Sequence, residues 1–401
     1  MKRLSKYVVI GCLISLLLTG CWSKKELDQI ALVTGIGIDK KGDEYNYTVQ
    51  IINPGEVTAK QMTTRTAVST YTSTGRSIFE AIREMTKITP RMGYYSHTRK
   101  VVFGEELAKE GIGKALDLLA RDHEFRTDFH IAVAKDIEAA DILKVLTPLE
   151  KVPANKMYTS MQISEDNWAP TKTVKIQELI NSIISKGKEP VLTGVYLTST
   201  ADIGSHVQNV EQVASPANVI IDNIGVFKGD KLIGWLNTPQ SKGFNYITNN
   251  VSGTAEYMPC GEDGNVTVEV INSESKIKAT VNNNQPHITI NVKVKGDIDD
   301  VQCKELDLSK EKSLNTVERK LEKRLNSAME EAINITQTEF NSDIFGFGEY
   351  VHRADKTYWK SVKDNWDAEY KNLTFQVNTN VNIVRTGTIT DSFQKEVEEG
   401  S

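Results

Sequence analysis

Cys21 is the residue whose surroundings in the sequence define a chemical reaction most clearly. It follows a cationic start at residues 2–6, an apolar run at residues 7–18 that ends in leucine, and then Thr-Gly. This order is typical of a secretory signal peptide with a small-residue cleavage site. A cysteine directly at that site indicates a bacterial lipoprotein, in which a diacylglycerol is attached to the sulfur and the chain is cut before it. The alternative is an ordinary signal peptide followed by a coincidental cysteine.

The predicted lipid anchor assigns the chain to a membrane surface. The apolar run holds about a dozen residues and a membrane-spanning helix needs ~20, so residues 1–20 are expected to be removed. Cys21 then becomes the first residue of the mature chain, attached to the outer leaflet of a membrane. Each buried lipid CH₂ contributes ~0.8 kcal/mol, so two or three acyl chains make the attachment nearly permanent.

Two other cysteines, Cys260 and Cys303, remain in the mature chain, because Cys12 leaves with the signal peptide. An extracytoplasmic location permits a disulfide between them. The chain-entropy model gives such a bond about 4 kcal/mol at best. Two separate free thiols are the alternative, and the sequence leaves both open. Neither cysteine belongs to a CxxC motif, which argues against a zinc site.

No other motif predicts catalysis or cofactor binding. Gly35 and Gly37 lack the third glycine of a dinucleotide-binding loop. Asp39, Asp43 and Glu44 lack the alternating spacing of a calcium loop, so we predict a solvated turn there. The histidines include no i, i+4 pair for a helical metal site, and the GxSxG motif is absent. We therefore predict a protein that is not an enzyme, with no catalytic residues, no metal and no cofactor.

The composition of the 401-residue chain is that of a globular protein with two or three domains. Hydrophobic residues make up 39% and charged residues 25%, which is typical neither of a disordered chain nor of a membrane-spanning one. The formal net charge is −5, with positive and negative residues well mixed. Nucleic-acid binding would need a concentrated basic face, so we expect no nucleic-acid partner.

Residues 21–198 predict an N-terminal domain of mixed α/β structure. Short apolar runs such as residues 30–38 read as buried strands, and helical patterns such as the one from Glu105 lie between them. Pro153 is predicted to help end a short helix that precedes it. Residues 199–215 are polar and weakly patterned, which predicts a linker.

Residues 216–300 predict a middle β-rich domain, because a hairpin is followed by runs that alternate between apolar and polar residues. Such alternation is typical of an antiparallel sheet with one solvated face. Residues 301–395 predict a C-terminal α+β domain that shares this sheet, and residues 396–401 predict a frayed tail. Within the C-terminal domain, residues 309–340 carry apolar side chains every three or four positions, which predicts a long helix. We favour a helix that covers its own sheet over a coiled-coil face for a partner. The expected fold class is mixed α+β, with three subdomains.

Four segments of the chain carry a family likeness. They cover residues 20–39, 75–83, 97–108 and 343–387. In the last and most specific segment, Asp-Ile-Phe-Gly-Phe-Gly leads into Trp-Lys, a second tryptophan, and a final alternating strand. In these features the chain resembles the Ger(x)C family, the lipoprotein C subunits of bacterial spore germinant receptors. The likeness spans nearly the whole mature chain in the same order.

The resemblance implies a scaffold or accessory subunit without catalytic residues. Such a subunit is anchored by lipid to the outer face of the bacterial cytoplasmic membrane, the inner membrane of the spore. Its implied partners are two integral membrane subunits of the same receptor, which responds to nutrients such as amino acids or sugars and starts germination. Whether this subunit binds a small molecule directly stays open. We expect Trp359 and Trp366 to be core aromatics, with a partner contact as the alternative.

Two other functions compete with this interpretation. A solute-binding lipoprotein that delivers a small molecule to a transporter shares the anchor, but it is expected to fold as two α/β lobes around a cleft. The antiparallel pattern of the C-terminal half argues against that fold. A cell-envelope hydrolase needs a polar catalytic cleft, for which the sequence offers no motif.

Overall fold

The computed structural model describes residues 29–59, 65–260, 264–303 and 306–387. Cys21, the lipobox and the tail at 396–401 lie outside these described residues. The described chain forms two sheets, one of nine strands and one of four. We call residues 29–236, which build the first sheet, the N-terminal unit, and residues 237–387 the C-terminal unit. Helices and strands alternate in the first unit and a long helix packs in the second, which confirms the mixed α+β class.

The first sheet has the strand order β3-β2-β1-β5-β6-β7-β8-β9, and the short β4 pairs with the start of β1. Strands β1, β5, β6 and β7 are parallel, and the outer strands are antiparallel. The central strand β5 is buried along its whole length, as a parallel strand with both faces covered must be. The strand bounds are β1 Ile30–Lys41, β2 Glu44–Ile52, β3 Val68–Gly75, β4 Met92–Tyr94, β5 Lys100–Gly104, β6 His130–Ala134, β7 Val191–Leu197, β8 Val219–Lys228 and β9 Lys231–Trp235.

The helices of the N-terminal unit cover both faces of this sheet. Gly111, at φ +136°, interrupts the helix that was predicted from Glu105 and divides it into α3 and α4. The prediction for Pro153 is wrong: it begins α6, where its missing N–H costs nothing and its fixed φ suits the first turn. The helix bounds are α1 Pro54–Thr58, α2 Ile78–Glu84, α3 Glu105–Glu110, α4 Gly113–Arg121, α5 Ala139–Lys144, α6 Pro153–Asn167, α7 Ile176–Ile184, α8 Ala201–Ser205 and α9 Gln208–Glu211, with 3₁₀ turns at Met85–Lys87 and Tyr95–His97.

The residues predicted as a linker, 199–215, contain α8 and α9 and pack on the N-terminal unit. Asn209 is fully buried and its amide donates to the backbone oxygens of Leu146 and Ala217, at 2.8 and 3.0 Å. A polar sequence therefore does not mean a free hinge here, because one buried amide fixes the segment to Ala217, which follows it, and to Leu146, which lies just after α5. The hairpin that was assigned to residues 216–300 also belongs to this unit, since β8 pairs with β7.

The four-stranded sheet of the C-terminal unit has the order β10-β11-β12-β13. The pairs β10–β11 and β11–β12 are antiparallel, but β13 lies parallel to β12, which corrects the expectation of a wholly antiparallel sheet. Alternation sets which face of a strand is buried, but it does not specify the direction of the neighbouring strand. The bounds are α10 Thr238–Ile247, β10 Thr254–Pro259, β11 Asn265–Asn282, β12 Gln285–Val301, α11 Glu311–Ile335, a π-helical turn Thr336–Phe340, α12 Phe347–Ala354, α13 Lys356–Val362, a 3₁₀ turn Lys363–Asn365, α14 Trp366–Lys371 and β13 Thr374–Arg385.

The long helix α11 covers its own sheet, as predicted. It buries an apolar stripe in the core of the C-terminal unit, and this core continues into β8 of the first sheet. A coiled-coil partner is therefore not needed to explain its periodicity. The buried stripe consists of Val317, Leu321, Leu325, Met329, Ala332 and Ile333.

Candidate functional site

The structure joins the two predicted thiols, Cys260 and Cys303, in a disulfide. Their Cα atoms are 5.8 Å apart and both residues are buried. Cys260 directly follows β10, and Cys303 comes two residues after β12, so the bond ties together the two strands that flank the start of β11. The bond therefore lies at one end of the sheet, and we interpret it as a structural cross-link.

The predicted solvated turn needs a correction at Asp39. This side chain is buried, and its carboxylate accepts the backbone N–H groups of Ala139 and Ala140 at 2.7 and 3.0 Å. Burial raises the pKa of Asp39 to about 6, against the opposing effect of these two donors. Asp39 thus satisfies the first turn of α5 and ties it to β1. Among the described residues, His, Cys, Asp and Glu form no group of three or more that could hold a metal ion.

Asp343 is the centre of the joint between the two units. It is buried, and its carboxylate accepts the N–H groups of Phe347 at 3.0 Å and Gly348 at 2.8 Å. The indole Nε1 of Trp366 donates to the same carboxylate at 2.9 Å. Burial raises the pKa of Asp343 to about 6, and the N–H donors oppose this rise. The backbone oxygen of Asp343 accepts the N–H of Glu189 at 2.8 Å, which joins the N-terminal unit to this loop.

Trp359 and Trp366 are both buried at this joint, 7% and 4% exposed, and their rings pack edge to face with centroids 5.2 Å apart. The joint also needs two glycines in contact. A Cβ on Gly348 would lie 2.6 Å from the Cα of Gly187, and one on Gly187 would lie 2.9 Å from the Trp359 ring. These exposures fit the core interpretation of the two tryptophans. The alternative role of Trp359 and Trp366, a partner contact, stays a prediction.

A groove of about 820 Å³ lies between α10, β10 and α11 and contains a buried ionic cluster. Glu256 is 4% exposed and binds two cations: Lys242 Nζ lies 3.3 Å from Oε1, and Arg324 Nε lies 3.1 Å from Oε2. Lys242 Nζ also donates to the backbone oxygen of Ala255 at 3.0 Å and lies 4.0 Å from the centroid of the Trp168 ring. Burial lowers the pKa of Lys242, and the Glu256 carboxylate opposes this effect. Both carboxylate oxygens are occupied, so the cluster stabilises the groove wall and presents no free base.

A second buried lysine, Lys100, lies at the start of β5 in the N-terminal unit. Its side chain is fully buried, and its ammonium group contacts the Met161 sulfur at 2.7 Å. Burial lowers the pKa of Lys100 to about 7. His130, its register partner on β6, stacks on Tyr158 with centroids 4.1 Å apart. Burial, followed by the charge of Lys100, lowers the pKa of His130 to about 4.

Sequence reasoning missed most of these buried polar residues. Lys100 stands directly before the apolar run Val-Val-Phe, and a charged residue in such a position is a weak signal for burial. Asp343 lies four residues before a helix start in a glycine-containing loop, which could have predicted a helix cap. Glu256 and Lys242 have no sequence signal, because a loop brings together a strand and a helix whose pairing is not encoded locally.

Comparisons with known proteins cover both units. Residues 23–196 match the family described as "Spore germination protein N-terminal domain", and residues 222–387 match "Spore germination B3/ GerAC like, C-terminal". The boundary between the two matches falls in the segment that contains α8 and α9. Among the described residues, no helix is long and apolar enough to cross a bilayer.

Two curated relatives and one solved structure extend this result. Spore germination protein KC of Bacillus subtilis (strain 168) is 32% identical over 396 residues, which covers 96% of this chain and 97% of the relative. Spore germination protein B3 of the same organism is 24% identical over 396 residues, covering 97% and 100%. The crystal structure of the GerBC protein shares the fold with a TM-score of 0.55 at 19% identity, covering 87% of this chain and 97% of that one. The chain therefore belongs to the Ger(x)C family of spore germination proteins, with both of the family's domains present.

Proposed function

We propose that this chain is the lipid-anchored C subunit of a spore germinant receptor. In this role it is a non-catalytic scaffold that assembles with two integral membrane subunits and is required for nutrient-triggered germination. The single observation that carries the proposal is the full-length similarity to spore germination protein KC, combined with matches to both family domains. The lipobox at Cys21 supports the anchor, and the inner spore membrane is the proposed location.

The start of β1 supports an orientation for the anchored protein. From Cys21 to Ile30 the chain can reach about 30 Å when fully extended. The sheet end at which β1 begins therefore lies close to the membrane surface. Met92, which pairs with Ile30, and Ile88 are each 49% exposed near this end. Exposed apolar side chains at a membrane-facing end are favourable because a bilayer interface accepts them.

The anchor is tested by the substitution Cys21→Ala in a strain with this receptor alone. We expect the mature protein to be absent from the membrane fraction and germination in response to the cognate nutrient to be lost. The matched control is Cys12→Ala, which changes a cysteine within the signal peptide and is expected to leave acylation and germination intact. Germination at the wild-type rate by the Cys21→Ala strain would contradict the proposal, as would an unacylated mature terminus in the wild-type protein.

The solute-binding alternative has weaker support. Such a protein is expected to have two α/β lobes around a cleft, whereas here the second unit is a four-stranded sheet covered by α11. Calorimetric titration of the mature protein with amino acids and sugars tests this alternative directly. Saturable binding by the isolated chain would favour it.

A further inference from the structure

The edge strands of the two sheets differ in how well they are protected against pairing with another chain. An edge strand presents unpaired backbone N–H and C=O groups, which can pair with another chain unless something blocks them. Proteins block such edges with short strands, prolines, charged side chains or a covering helix. The described edges therefore show where the chain prevents strand addition and where it permits it.

Both edges of the C-terminal sheet are blocked by side chains. On β13, the outward N–H groups of Val381 and Ile383 donate to the carboxylates of Glu322 and Glu318, at 3.1 and 2.9 Å. On β10, the outward oxygens of Ala255 and Pro259 accept lysine ammonium groups at 3.0 and 2.9 Å. Pro259 also has no N–H to offer. No further strand is expected to pair at either edge.

The N-terminal sheet ends in β9 on one side and β3 on the other. Strand β9 has five residues, which is short for a pairing edge. Strand β3 has eight residues, Val68–Gly75, with no proline and no charged side chain. It is rich in threonine and serine, whose side chains suit strand pairing. Its one outward group with a side-chain partner is the Val68 oxygen, which accepts the Thr66 hydroxyl at 2.7 Å, so among the described residues the rest of this edge lacks the protection found on the other edges.

The direction of the backbone groups of β3 follows from its pairing with β2. Asn53 N–H donates to the Ala67 oxygen at 2.8 Å, and residues 53 and 67 continue the regular register of the two strands. In an antiparallel ladder, hydrogen-bonded and non-hydrogen-bonded pairs alternate. The odd-numbered residues of β3 therefore bond to β2, and Thr70, Thr72 and Thr74 direct their N–H and C=O groups outward. The 2.8 Å contact between the hydroxyls of Thr48 and Thr72 agrees, since side chains are closer in non-hydrogen-bonded pairs.

The outward groups of Thr70, Thr72 and Thr74 have no backbone or side-chain partner among the described residues. Thr72 and Thr74 are exposed. The helix α2, which packs against β3, leaves Phe79 45% exposed. The edge therefore combines free backbone groups with neighbouring apolar surface.

The geometry of the anchor indicates what kind of chain would pair there. Strand β2 is antiparallel to both β1 and β3, so β3 runs in the same direction as β1 and begins at the same, membrane-near end. A second copy pairing antiparallel with β3 would be related by a two-fold axis perpendicular to the sheet. Its own anchor would then leave from the opposite end of the strands. That anchor would point away from the membrane that holds the first copy. A segment of a protein embedded in the same membrane avoids this problem, because it can extend away from the membrane along β3.

We propose that β3 is a strand-addition site, at which an extended, uncharged segment of a membrane-embedded partner pairs with the outward edge of Thr70, Thr72 and Thr74. The inference rests on the proposed function, because it needs a partner in the same membrane. Backbone pairing supplies the affinity, and the partner's alternate side chains contact the α2 side of the sheet.

Hydrogen–deuterium exchange of residues 68–75 tests the pairing in the full-length protein. In the isolated, detergent-solubilised chain, the amides of Thr70, Thr72 and Thr74 are expected to exchange rapidly, and those of the odd-numbered residues slowly. In the receptor isolated with its membrane subunits, exchange of the three threonine amides is expected to slow roughly tenfold or more. Unchanged exchange in a receptor that retains its membrane subunits would overturn the proposal and leave the proposed function intact. Concentration-dependent protection in the isolated chain would overturn it in favour of a second copy.

The substitution Thr72→Pro tests the same edge in spores. It removes one outward N–H, and proline is tolerated where the N–H of an edge strand faces solvent. We expect normal acylation and folding, with recovery of the membrane subunits reduced roughly tenfold on purification of the tagged chain. Thr72→Ala is the control, because it keeps the backbone donor, and it is expected to recover them fully. If neither the wild type nor Thr72→Ala recovers membrane subunits, the proposed function fails first. If all three recover them equally, only the strand-addition site is excluded.

Discussion

Lys100 in the N-terminal unit and Lys242 in the C-terminal unit are both buried, yet their surroundings differ. Lys242 has a carboxylate, a backbone oxygen and an aromatic face within reach. Lys100 contacts a methionine sulfur, and no salt bridge to it is found among the described residues. A buried ammonium group that lacks a carboxylate favours its neutral form, whereas a paired one keeps its charge. The two units therefore respond differently to pH and to loss of a single side chain.

The largest loss of stability is expected from removing the carboxylate of Glu256, which is paired with Lys242. Glu256→Ala leaves Lys242 buried beside Ala255 and Trp168 without its counter-charge. Loss of one partner of a buried pair costs about 3–5 kcal/mol. We expect the free energy of unfolding of the mature chain to fall by this amount in urea titrations.

The control for Glu256 is Glu274→Ala, which removes an exposed carboxylate 2.9 Å from Lys276. Exposed pairs contribute about 0–1 kcal/mol, so this variant is expected to be close to wild type. Equal, small effects of the two substitutions would show that the cluster in the groove is not stabilising.

An intermediate effect is expected at the joint where the two units meet. Asp343→Asn replaces an acceptor of three N–H groups with an amide that cannot accept from all of them. Buried donors without a partner cost about 1–3 kcal/mol, so we expect a loss of about 2–3 kcal/mol. Tryptophan fluorescence is the second readout, because Trp366 donates to this carboxylate.

Asp355→Asn is the matched control for the joint. Asp355 caps α13 through the N–H groups of Thr357 and Tyr358, both at 2.9 Å, but it lies nearer the surface. We expect a loss of about 1 kcal/mol or less with unchanged tryptophan emission. A larger loss at Asp355 than at Asp343 would contradict the assignment of Asp343 as the centre of the joint.

The smallest change in the free energy of unfolding, and the only stabilising one, is expected from replacing Lys100, the lysine without a carboxylate partner among the described residues. The pKa of Lys100 is about 7 in the folded chain and has an ordinary value of 10.5. Between these values the unfolded chain binds more protons, so wild-type stability rises with pH from about 7 to about 10.5. Below pH 7 the cost of burying the charge is fully present. Lys100→Met is expected to stabilise the protein by about 1–2 kcal/mol at pH 6 and to lose this advantage as the pH rises above 7.

Chemical denaturation at several pH values checks this prediction. Lys87→Met is the control, because it makes the same substitution at a lysine whose side chain is 71% exposed. An equal pH dependence of the free energy of unfolding in wild type and Lys100→Met between pH 7 and 10 would show that Lys100 is charged in the folded state.

The sequence predicted the elements of this fold better than their partners. The apolar run of β1, the alternating strands and the stripe of α11 are each specified by local periodicity, and the structure contains all of them. Whether β8 joins the first or the second sheet depends on contacts far along the chain. The direction of β13 is likewise undetermined by its own pattern. Helix α6 was missed because Pro153 was interpreted as the end of the preceding helix, whereas it occupies the first turn of α6.

The same limit applies to the candidate sites. Cys21 and the two tryptophans could be selected because a motif or a family likeness singles them out. Asp39 was misassigned, since a carboxylate in a charged turn usually faces water and only α5 brings it two N–H donors. Lys100 and Glu256 are ordinary charged residues in the sequence, and their burial is set by the packing of distant segments.

The parallel pairing of β12 and β13 determines the order in which the C-terminal unit can be completed. Residues 302–373 separate the two strands, and α11 lies within that stretch. β13 is the last of the described strands to be synthesised, so β12 has an open side until the helices have folded and β13 arrives. Shortening the chain before residue 374 would therefore leave the long edge of β12 unpaired, and such a truncated chain is expected to aggregate.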